Sequence, residues 1–405
     1  TLSVQSALVV DGTLRLEGSS QFGAARLEVD GAQSVTGSGV IDLARRSDET
    51  GGGVYNELRF DGLSGAAESL VLGADLTIRG DGRFVASRSE DTIQVLSRLE
   101  GVEGSVLRLD DIDNAGAALR VDAGAGRVAL QGDLSEAVVS GTGVFDLFSG
   151  ALADVTLDMD ARLDAAVSSR FVNVEGDLVI NETLSLDSAG RGARLTVRGD
   201  QTLSGTGEIV LSASGANADQ SELEFSGVDS GSETMVIASG LTVRGAGTLD
   251  AATGGSDRLE IAGTVRAEGG RLLILDANQV DVTGVLGAAA GAELQISQDL
   301  TLTDQSRIEI GLDAQGGFGV IDMNGVLTRA GVLALNVADD SAFELGQTFT
   351  ILDAGRTDMA GAFDGFDGFD LAGDLAFTLV EDADNDTLTL QVVTDDQAAA
   401  DGTIG

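Results

Sequence analysis

The sequence contains no cysteine, histidine, lysine, proline or tryptophan, and each absence excludes a class of chemistry or structure. Without cysteine and histidine there is no disulfide, thiolate nucleophile, imidazole base or Cys/His zinc site. Without lysine there is no Schiff base. Carboxylates, arginines, hydroxyls and the backbone remain, so an oxygen-ligated cation such as calcium stays possible.

The missing proline is informative about the fold. At average usage a chain of 405 residues would contain about 20 prolines. Proline cannot donate a hydrogen bond to a neighbouring strand, so its absence is expected where almost every segment is a paired strand. The 57 glycines provide the turns that such strands need.

The charge is strongly of one sign, with 66 acidic residues against 24 arginines and a net charge of -42. Nucleic acid and anionic membrane surfaces are poor partners for this chain, because they attract basic patches. With 43% hydrophobic residues the chain is too apolar for a disordered acidic tail. No apolar run approaches the roughly 18 residues of a membrane span. A first residue of Thr1 fits a processed secreted protein.

Apolar and polar residues alternate with a period of two throughout the chain, which predicts short strands with one buried face. Glycine, aspartate, asparagine and serine separate these segments, as expected for turns. The clearest alternating segments are 14–16, 27–29, 76–78, 107–109, 223–225, 259–261, 294–296 and 308–310.

A Gly-x-Gly motif recurs after such segments and suggests a repeat. Its first glycines are Gly37, Gly80, Gly141, Gly205 and Gly245, at spacings of 43, 61, 64 and 40 residues. Interpreted as two, three, three and two coils, these spacings give about 21 residues per coil, within the range of solenoid repeats. The prediction is an all-β fold, a single-stranded parallel β-helix (β-solenoid), with the five motifs at equivalent corners.

Three longer polar segments follow the motif strands, at 44–56, 212–221 and 251–257. In solenoids, insertions collect on one face. We therefore expect these segments to decorate one side of the β-helix.

The sequence changes character after residue 338, which predicts three regions: a β-helix body at 1–338, a C-terminal antiparallel β cap and assembly element at 339–393, and an acidic tail at 394–405. From Asp339 to Asp401 there are 16 acidic residues and a single arginine. An antiparallel cap would cover the strand edges that an open solenoid end exposes. The composition of the tail is typical of a disordered terminus.

The C-terminal motifs resemble those of a known family. They are G-Q-x-F-x-I-L-D-A-G at 346–355, G-x-F-D-G at 361–365, and a hairpin with F-x-L-V at 377–380 and D-x-L-T-L-x-V at 386–392. Together with the β-solenoid body, they resemble passenger domains of autotransporter-like bacterial surface proteins. The resemblance implies an exported extracellular β-helix that serves as an adhesin, surface fibre or matrix component. Such proteins continue into a membrane β-barrel that is not part of this sequence, so we expect either that a translocator was removed or that the protein is secreted another way and assembles outside the cell.

The best candidate for a cation site is the loop containing Asp382, Asp384 and Asp386, because carboxylates at alternate positions can converge on calcium. It is not an EF-hand, since Thr387 stands where that loop needs glycine. The alternative is a solvated hairpin turn. Asp110, Asp111 and Asp113 form a weaker second cluster.

Phe363, Phe366 and Phe369 alternate with aspartates in a glycine-jointed segment. They are the candidate residues for an assembly contact, and the alternative is packing in the core of the cap, because phenylalanine is usually buried.

Several short motifs have simpler explanations as turns or chance matches. Arg79-Gly80-Asp81 and Arg198-Gly199-Asp200 match an integrin-binding tripeptide, but both coincide with glycine corners. Asn181 and Asn385 begin N-glycosylation sequons, which we interpret as chance.

These observations predict a non-enzymatic extracellular structural protein, a self-associating surface or biofilm matrix fibre subunit located outside the cell or on the bacterial surface. The expected partner is the protein itself in a head-to-tail homopolymer, with matrix polysaccharide or a cell surface as further partners and no nucleic acid. A monomeric adhesin stalk is the first alternative. A β-helix polysaccharide lyase or glycosidase is the second, although one tyrosine and no tryptophan leave few aromatic platforms for sugars. No catalytic or cofactor-binding residue is predicted.

Overall fold

The computed structural model describes residues 1–18, 23–44, 55–63, 65–110, 112–213, 221–226, 233–251, 257–313, 315–340, 343–355, 359–382 and 384–402. The chain divides into two compact units: Thr1–Asp164 with Arg170–Ser185, and Ala165–Ser169 with Leu186–Gly405. The fold is all-β, a parallel β-helix, as the alternation predicted, and a short helix follows at the C-terminus. No helix formed by the described residues is long and apolar enough to cross a membrane.

The strands of the first unit are β1 (Leu2–Val4), β2 (Leu8–Val9), β3 (Thr13–Leu16), β4 (Arg26–Asp30), β5 (Gln33–Thr36), β6 (Val40–Leu43), β7 (Asn56–Asp61), β8 (Ser69–Leu72), β9 (Thr77–Gly80), β10 (Gly82–Ala86), β11 (Thr92–Val95), β12 (Arg98–Glu100), β13 (Val106–Leu109), β14 (Ile112–Asp122), β15 (Arg127–Leu130), β16 (Leu134–Thr142), β17 (Phe145–Leu147), β18 (Ser149–Ala153), β19 (Val155–Asp158), β20 (Ala161–Asp164), β21 (Arg170–Val174) and β22 (Leu178–Ile180).

Strand β23 (Thr183–Ser188) spans the division between the units. The second unit then contains β24 (Ala193–Arg198), β25 (Gln201–Ser204), β26 (Glu208–Ala213), β27 (Ser221–Ser226), β28 (Thr234–Ile237), β29 (Thr242–Ala251), β30 (Arg258–Ile261), β31 (Thr264–Ala267), β32 (Leu272–Ala277), β33 (Gln279–Val282), β34 (Val285–Ala288), β35 (Glu293–Ile296), β36 (Leu300–Leu302), β37 (Arg307–Leu312), β38 (Val320–Met323), β39 (Leu327–Arg329), β40 (Val332–Val337), β41 (Thr348–Asp353), β42 (Met359–Gly361), β43 (Gly365–Asp367), β44 (Asp370–Leu371), β45 (Leu375–Asp382), β46 (Thr387–Thr394) and the helix α1 (Asp395–Asp401).

Each coil contributes one strand to each of three parallel sheets. In the first unit, sheet 1 contains β1, β4, β7, β10, β13, β15, β17 and β20. Sheet 2 contains β2, β5, β8, β11, the first parts of β14 and β16, β18 and β21. Sheet 3 contains β3, β6, β9, β12, the last parts of β14 and β16, β19 and β22.

The second unit repeats this arrangement. Its sheet 1 contains β26, the first part of β29, β31, β34, β37, β40 and β43. Its sheet 2 contains β24, β27, the last part of β29, β32, β35, β38 and β41. Its sheet 3 contains β25, β28, β30, β33, β36, β39 and β42.

The register stacks apolar side chains into inward columns. In sheet 1 of the second unit, Val243, Val265, Leu286 and Ile308 occupy the same position on four coils, at spacings of 22, 21 and 22 residues. All four are at most 2% exposed. These coils confirm the predicted period of about 21 residues.

Glycine makes the tight corners possible. Gly80 has φ of +108°, and a Cβ added there would lie 2.1 Å from the carbonyl oxygen of Leu43 on the preceding coil. Gly245 has φ of +116° and a similar approach to Leu211. Both positions need a residue without a side chain.

The prediction that all five Gly-x-Gly motifs occupy equivalent corners is wrong. Gly37 follows a strand of sheet 2, because β5 pairs with β8. Gly80 and Gly141 end strands of sheet 3. Gly245 ends the sheet 1 part of β29. Every corner of a coil must turn, so the same glycine signal arises at all three corners.

The prediction that the insertions share one side is also wrong. The segment after Ala44 connects sheet 3 to sheet 1 in the first unit, because it lies between β6 and β7. In the second unit, the segment after β26 connects sheet 1 to sheet 2, and the segment after β29 connects sheet 2 to sheet 3. Most residues of the insertions themselves, 45–54, 214–220 and 252–256, lie outside the described residues.

The C-terminal cap is antiparallel, as predicted. β46 pairs with β41 on one side and with β45 on the other, and β45 also pairs with β44. Parallel coil strands continue alongside it, because β42 and β43 extend sheets 3 and 1.

The tail does not have the irregular structure that its composition suggested, since Asp395–Asp401 forms a helix. Ala398 is buried with Ala376 and Val393, and the Thr378 hydroxyl donates a hydrogen bond of 3.1 Å to Asp401.

Candidate functional site

A groove with a volume of about 490 Å³ crosses sheet 3 of the first unit. Its outer row contains Thr77, Arg98, Arg120 and Ser140, which are register partners on four successive coils. Arg98 and Arg120 therefore stand on adjacent coils, between the hydroxyls of Thr77 and Ser140. Adjacent strands of this kind lie about 4.8 Å apart. The remaining lining residues are Ala74, Asp75, Leu76, Val121, Asp122, Gly141 and Thr142.

Asp122 neutralises one of the two arginines. Its carboxylate accepts a hydrogen bond of 2.7 Å from the Thr142 hydroxyl and an ion pair from Arg98. The hydrogen bonds from Thr142 and from Arg98 lower the pKa of Asp122, so this carboxylate stays ionised at neutral pH. Its acceptor capacity is directed to these two partners rather than to Arg120.

Elsewhere, arginines bridge neighbouring coils. In sheet 1 of the first unit, Glu57 accepts ion pairs from Arg26 at 2.8 Å and from Arg83. In the same sheet, Asp146 is only 1% exposed and accepts hydrogen bonds of 2.6 Å from Arg127 and Arg162. These ladders place opposite charges on successive coils, which is the favourable cross-strand arrangement.

The last coil of the second unit differs from those before it. Phe366 continues the inward column of Leu286, Ile308 and Leu333, and Met359 continues the inward column of Leu327. Leu333 and Leu327 are at most 1% exposed, but Phe366 and Met359 are only half-buried. Among the described residues, no further strand pairs with the outer edges of β42 and β43.

Phe369 is 2% exposed and belongs to an aromatic cluster in the cap, with ring centroids 5.0 Å from Phe366 and 6.5 Å from Phe377. Phe343 and Phe349 join this cluster around Phe377, and Phe318 packs against Phe349. For Phe369 this geometry favours core packing. Phe363 and Phe366 are half-buried, and the assembly contact predicted for the three phenylalanines stays a prediction.

The predicted calcium loop forms a turn. The Asp382 carboxylate accepts hydrogen bonds from the Asp384 amide at 3.0 Å and from the Asn385 side chain at 2.7 Å. The hydrogen bond from Asn385 and that from the Asp384 amide lower the pKa of Asp382. These contacts are those of the hairpin-turn alternative, and calcium binding by Asp382, Asp384 and Asp386 stays a prediction.

A different carboxylate group brings its oxygens within 4.8 Å of one another: Glu28, Asp30 and Asp61. Asp30 accepts hydrogen bonds from the Ser3 hydroxyl and the Gln5 amide, so protein donors already serve it. Of the weaker cluster, Asp111 lies outside the described residues, and Asp110 and Asp113 each have interaction partners.

The short motifs serve the β-helix. Arg79 contacts Asp42 at 3.6 Å and Glu100 at 3.8 Å. Asp200 accepts the Thr234 amide at 2.7 Å. The Asn181 side chain donates to Asp158 at 2.6 Å, and that of Asn385 donates within the turn above.

The sequence did not identify the groove. Arg98 and Arg120 are 22 residues apart, about one coil, and that spacing is the signal that could have found it.

No family model matches this chain, and no curated protein matches it.

Proposed function

We propose that this protein is a non-enzymatic extracellular structural protein, the subunit of a self-associating surface or matrix fibre. The observation that carries the proposal is the last coil of the second unit, where Phe366 and Met359 occupy inward positions but are only half-buried, and no further strand of the described residues pairs with β43 or β42. A solenoid end with free edges and half-exposed core residues is a surface on which a further coil can stack.

The partner proposed for this end is a second copy of the chain. A coil of a neighbouring copy would supply backbone hydrogen bonds to β42 and β43 and would continue the inward columns. A head-to-tail contact of this kind does not close on itself, so it propagates into a filament. Among the described residues, β46 pairs with the outer edge of β41 in sheet 2, and no strand pairs with the outer edges of β42 and β43.

The way the charged groups are used also supports a structural role. Buried carboxylates such as Glu57 and Asp146 are bound by arginines of the preceding and following coils. Charged groups that form ion pairs between coils stabilise the β-helix, which supports a structural role for the protein. The resemblance to exported passenger domains supports a location outside the cell or on the bacterial surface.

Light scattering after size exclusion, with electron microscopy of the same fractions, tests self-association. We expect the purified chain to form filaments that grow with concentration, and the double variant Phe363→Ser, Phe366→Ser to remain monomeric while keeping its β-sheet circular dichroism. The matched control is Phe171→Ser, because Phe171 is 53% exposed in the first unit and lies outside the proposed contact.

Two results would contradict the proposal. One is a wild-type chain that stays monomeric at all concentrations, and the other is filaments that the double variant forms as readily as Phe171→Ser. Monodisperse particles would favour the second candidate, a monomeric adhesin. The groove of the first unit favours that candidate, because it offers a ligand-sized surface away from any strand edge.

A further inference from the structure

We infer that the groove on sheet 3 of the first unit binds an acidic saccharide, with the carboxylate of a uronic acid held by Arg120. A volume of about 490 Å³ is within the range of ligand sites. The inference does not depend on self-association.

The positive charge of Arg120 stands beside that of Arg98. Arg98 and Arg120 are register partners on adjacent strands, and like charges opposite each other are destabilising. Asp122 compensates Arg98. The Arg120 side chain is exposed and makes no hydrogen bond or ion pair with any residue in the part of the chain that the structure describes. The chain has 66 acidic residues and 24 arginines, so a guanidinium without a carboxylate partner, next to a second guanidinium, is unusual here. An anionic ligand would neutralise its charge.

The anion whose shape suits Arg120 is a carboxylate. A guanidinium presents its donors in a planar fork that binds both oxygens of a carboxylate. Arg120 stands in the middle of the row, with the guanidinium of Arg98 on one side and the Ser140 hydroxyl on the other. A carboxylate bound there would be attracted by both arginines.

The rest of the groove suits a sugar that carries this carboxylate. The groove also offers the hydroxyls of Thr77, Ser140 and Thr142 and the carboxylate of Asp75, which are partners for sugar hydroxyls. Asp75 and Asp122 are two negative charges beside the two arginines, so a ligand with one carboxylate per sugar and many hydroxyls suits this lining. A polyphosphate carries more negative charge along its length than two arginines beside two carboxylates can balance, so it does not suit this lining.

Isothermal titration of the full chain with a galacturonate trisaccharide tests the inference, with the methyl ester of the same trisaccharide as the neutral probe. We expect the acid to bind and the ester to bind at least about tenfold more weakly, because the ester offers no charged acceptor. Arg120→Gln should weaken binding of the acid by about tenfold or more.

The matched control is Arg191→Gln, which removes the same charge from another exposed position. It should leave affinity within about twofold of wild type, since Arg191 does not line the groove. Both variants replace exposed side chains, and unchanged melting temperatures would show that both fold. Absence of binding, equal binding of acid and ester, or equal losses for the two variants would each overturn the inference. None of these results bears on the filament test, which changes residues of the second unit.

Discussion

Interior coils and the last coil of the second unit place the same inward column in two environments. Leu286 lies between Val265 and Ile308 and is fully buried, whereas Phe366, at the same position of the final coil, is half-buried. The alternation is the same in both, but in the part of the chain that the structure describes Leu286 has a paired coil on each side and Phe366 on one side. Burial in this fold is therefore supplied by neighbouring coils, as expected for a repeat in which each unit contacts only the next.

The cap modifies this difference for one sheet. β41 of sheet 2 is covered by β46, while β43 of sheet 1 and β42 of sheet 3 have no strand on their outer edges among the described residues. An antiparallel hairpin can cover one edge directly. Among the described residues, the cap therefore pairs with the edge strand of one sheet and with that of neither other sheet.

The largest effect is expected inside the coils. Leu286→Ala removes a side chain that is fully buried, and such truncations cost about 2–5 kcal/mol because a cavity remains. Phe366→Ala should cost less, about 1–2 kcal/mol, because part of its ring already faces solvent. The urea midpoints of the two variants, taken at a protein concentration below that of filament formation, measure this difference.

Val285→Ala is the control for Leu286→Ala, since Val285 is the adjacent, half-buried residue of the same strand. It should shift the midpoint by much less. If Phe366→Ala were as costly as Leu286→Ala in monomeric protein, the last coil would not be exposed as described, and the comparison between the two coils would fail.

The fold was predictable because its cause is local and repeated. The alternating segments at 14–16, 107–109 and 259–261 all lie within strands, β3, β13 and β30. Strand alternation, glycine turns and the lack of proline agree on one architecture. Even the tail helix carried signals, with two aspartates in the first turn, three alanines, and Gly402 as a left-handed C-cap.

The corners were not predictable, because glycine marks all three alike. From Gly37 to Gly80 the chain makes about one and a third coils, but the segment 45–54 adds length that resembled a second coil. Segments 214–220 and 227–232 had the same effect between Gly205 and Gly245. Register cannot be counted from spacing when insertions are of unknown length.

The candidate site depends on that register, and so it could not be predicted from the sequence. Arg98 and Arg120 become neighbours only because β12 stacks on the last part of β14. Nothing in either local sequence distinguishes these arginines from the others that bridge coils.

The next effect concerns the contact between cap and coil. Arg329 on β39 is 8% exposed and donates to both oxygens of Glu381 on β45, at 2.8 and 3.1 Å. Glu381→Ala should cost about 2–4 kcal/mol, because it leaves a buried charge without its partner. Arg329→Met should cost less than about 1 kcal/mol, because the carboxylate left behind is 41% exposed and can be hydrated.

Urea midpoints of the two single variants and the double variant measure this asymmetry. The double variant should resemble Arg329→Met, since both lack the buried charge. If Arg329→Met were the more damaging change, packing of the arginine stem rather than desolvation of its charge would govern the contact between β39 and β45.

The smallest effect is expected in sheet 2, where two aspartates on neighbouring strands lie side by side. Asp322 on β38 is register partner of Asp353 on β41, and burial, followed by the charge of Asp353, raises the pKa of Asp322. The folded state therefore binds this proton more tightly than the unfolded state, so stability falls as pH rises through the window between the two pKa values. Asp322→Asn should raise Tm at pH 7, by less than the shifts above, and the gain should vanish near about pH 3, where the carboxyl is protonated in both states.

Asp122→Asn is the control of opposite sign, because hydrogen bonds from Thr142 and Arg98 lower the pKa of Asp122 and its charge stabilises the fold at pH 7. A gain for Asp322→Asn that persisted unchanged at low pH would mean that shape rather than charge limits this position.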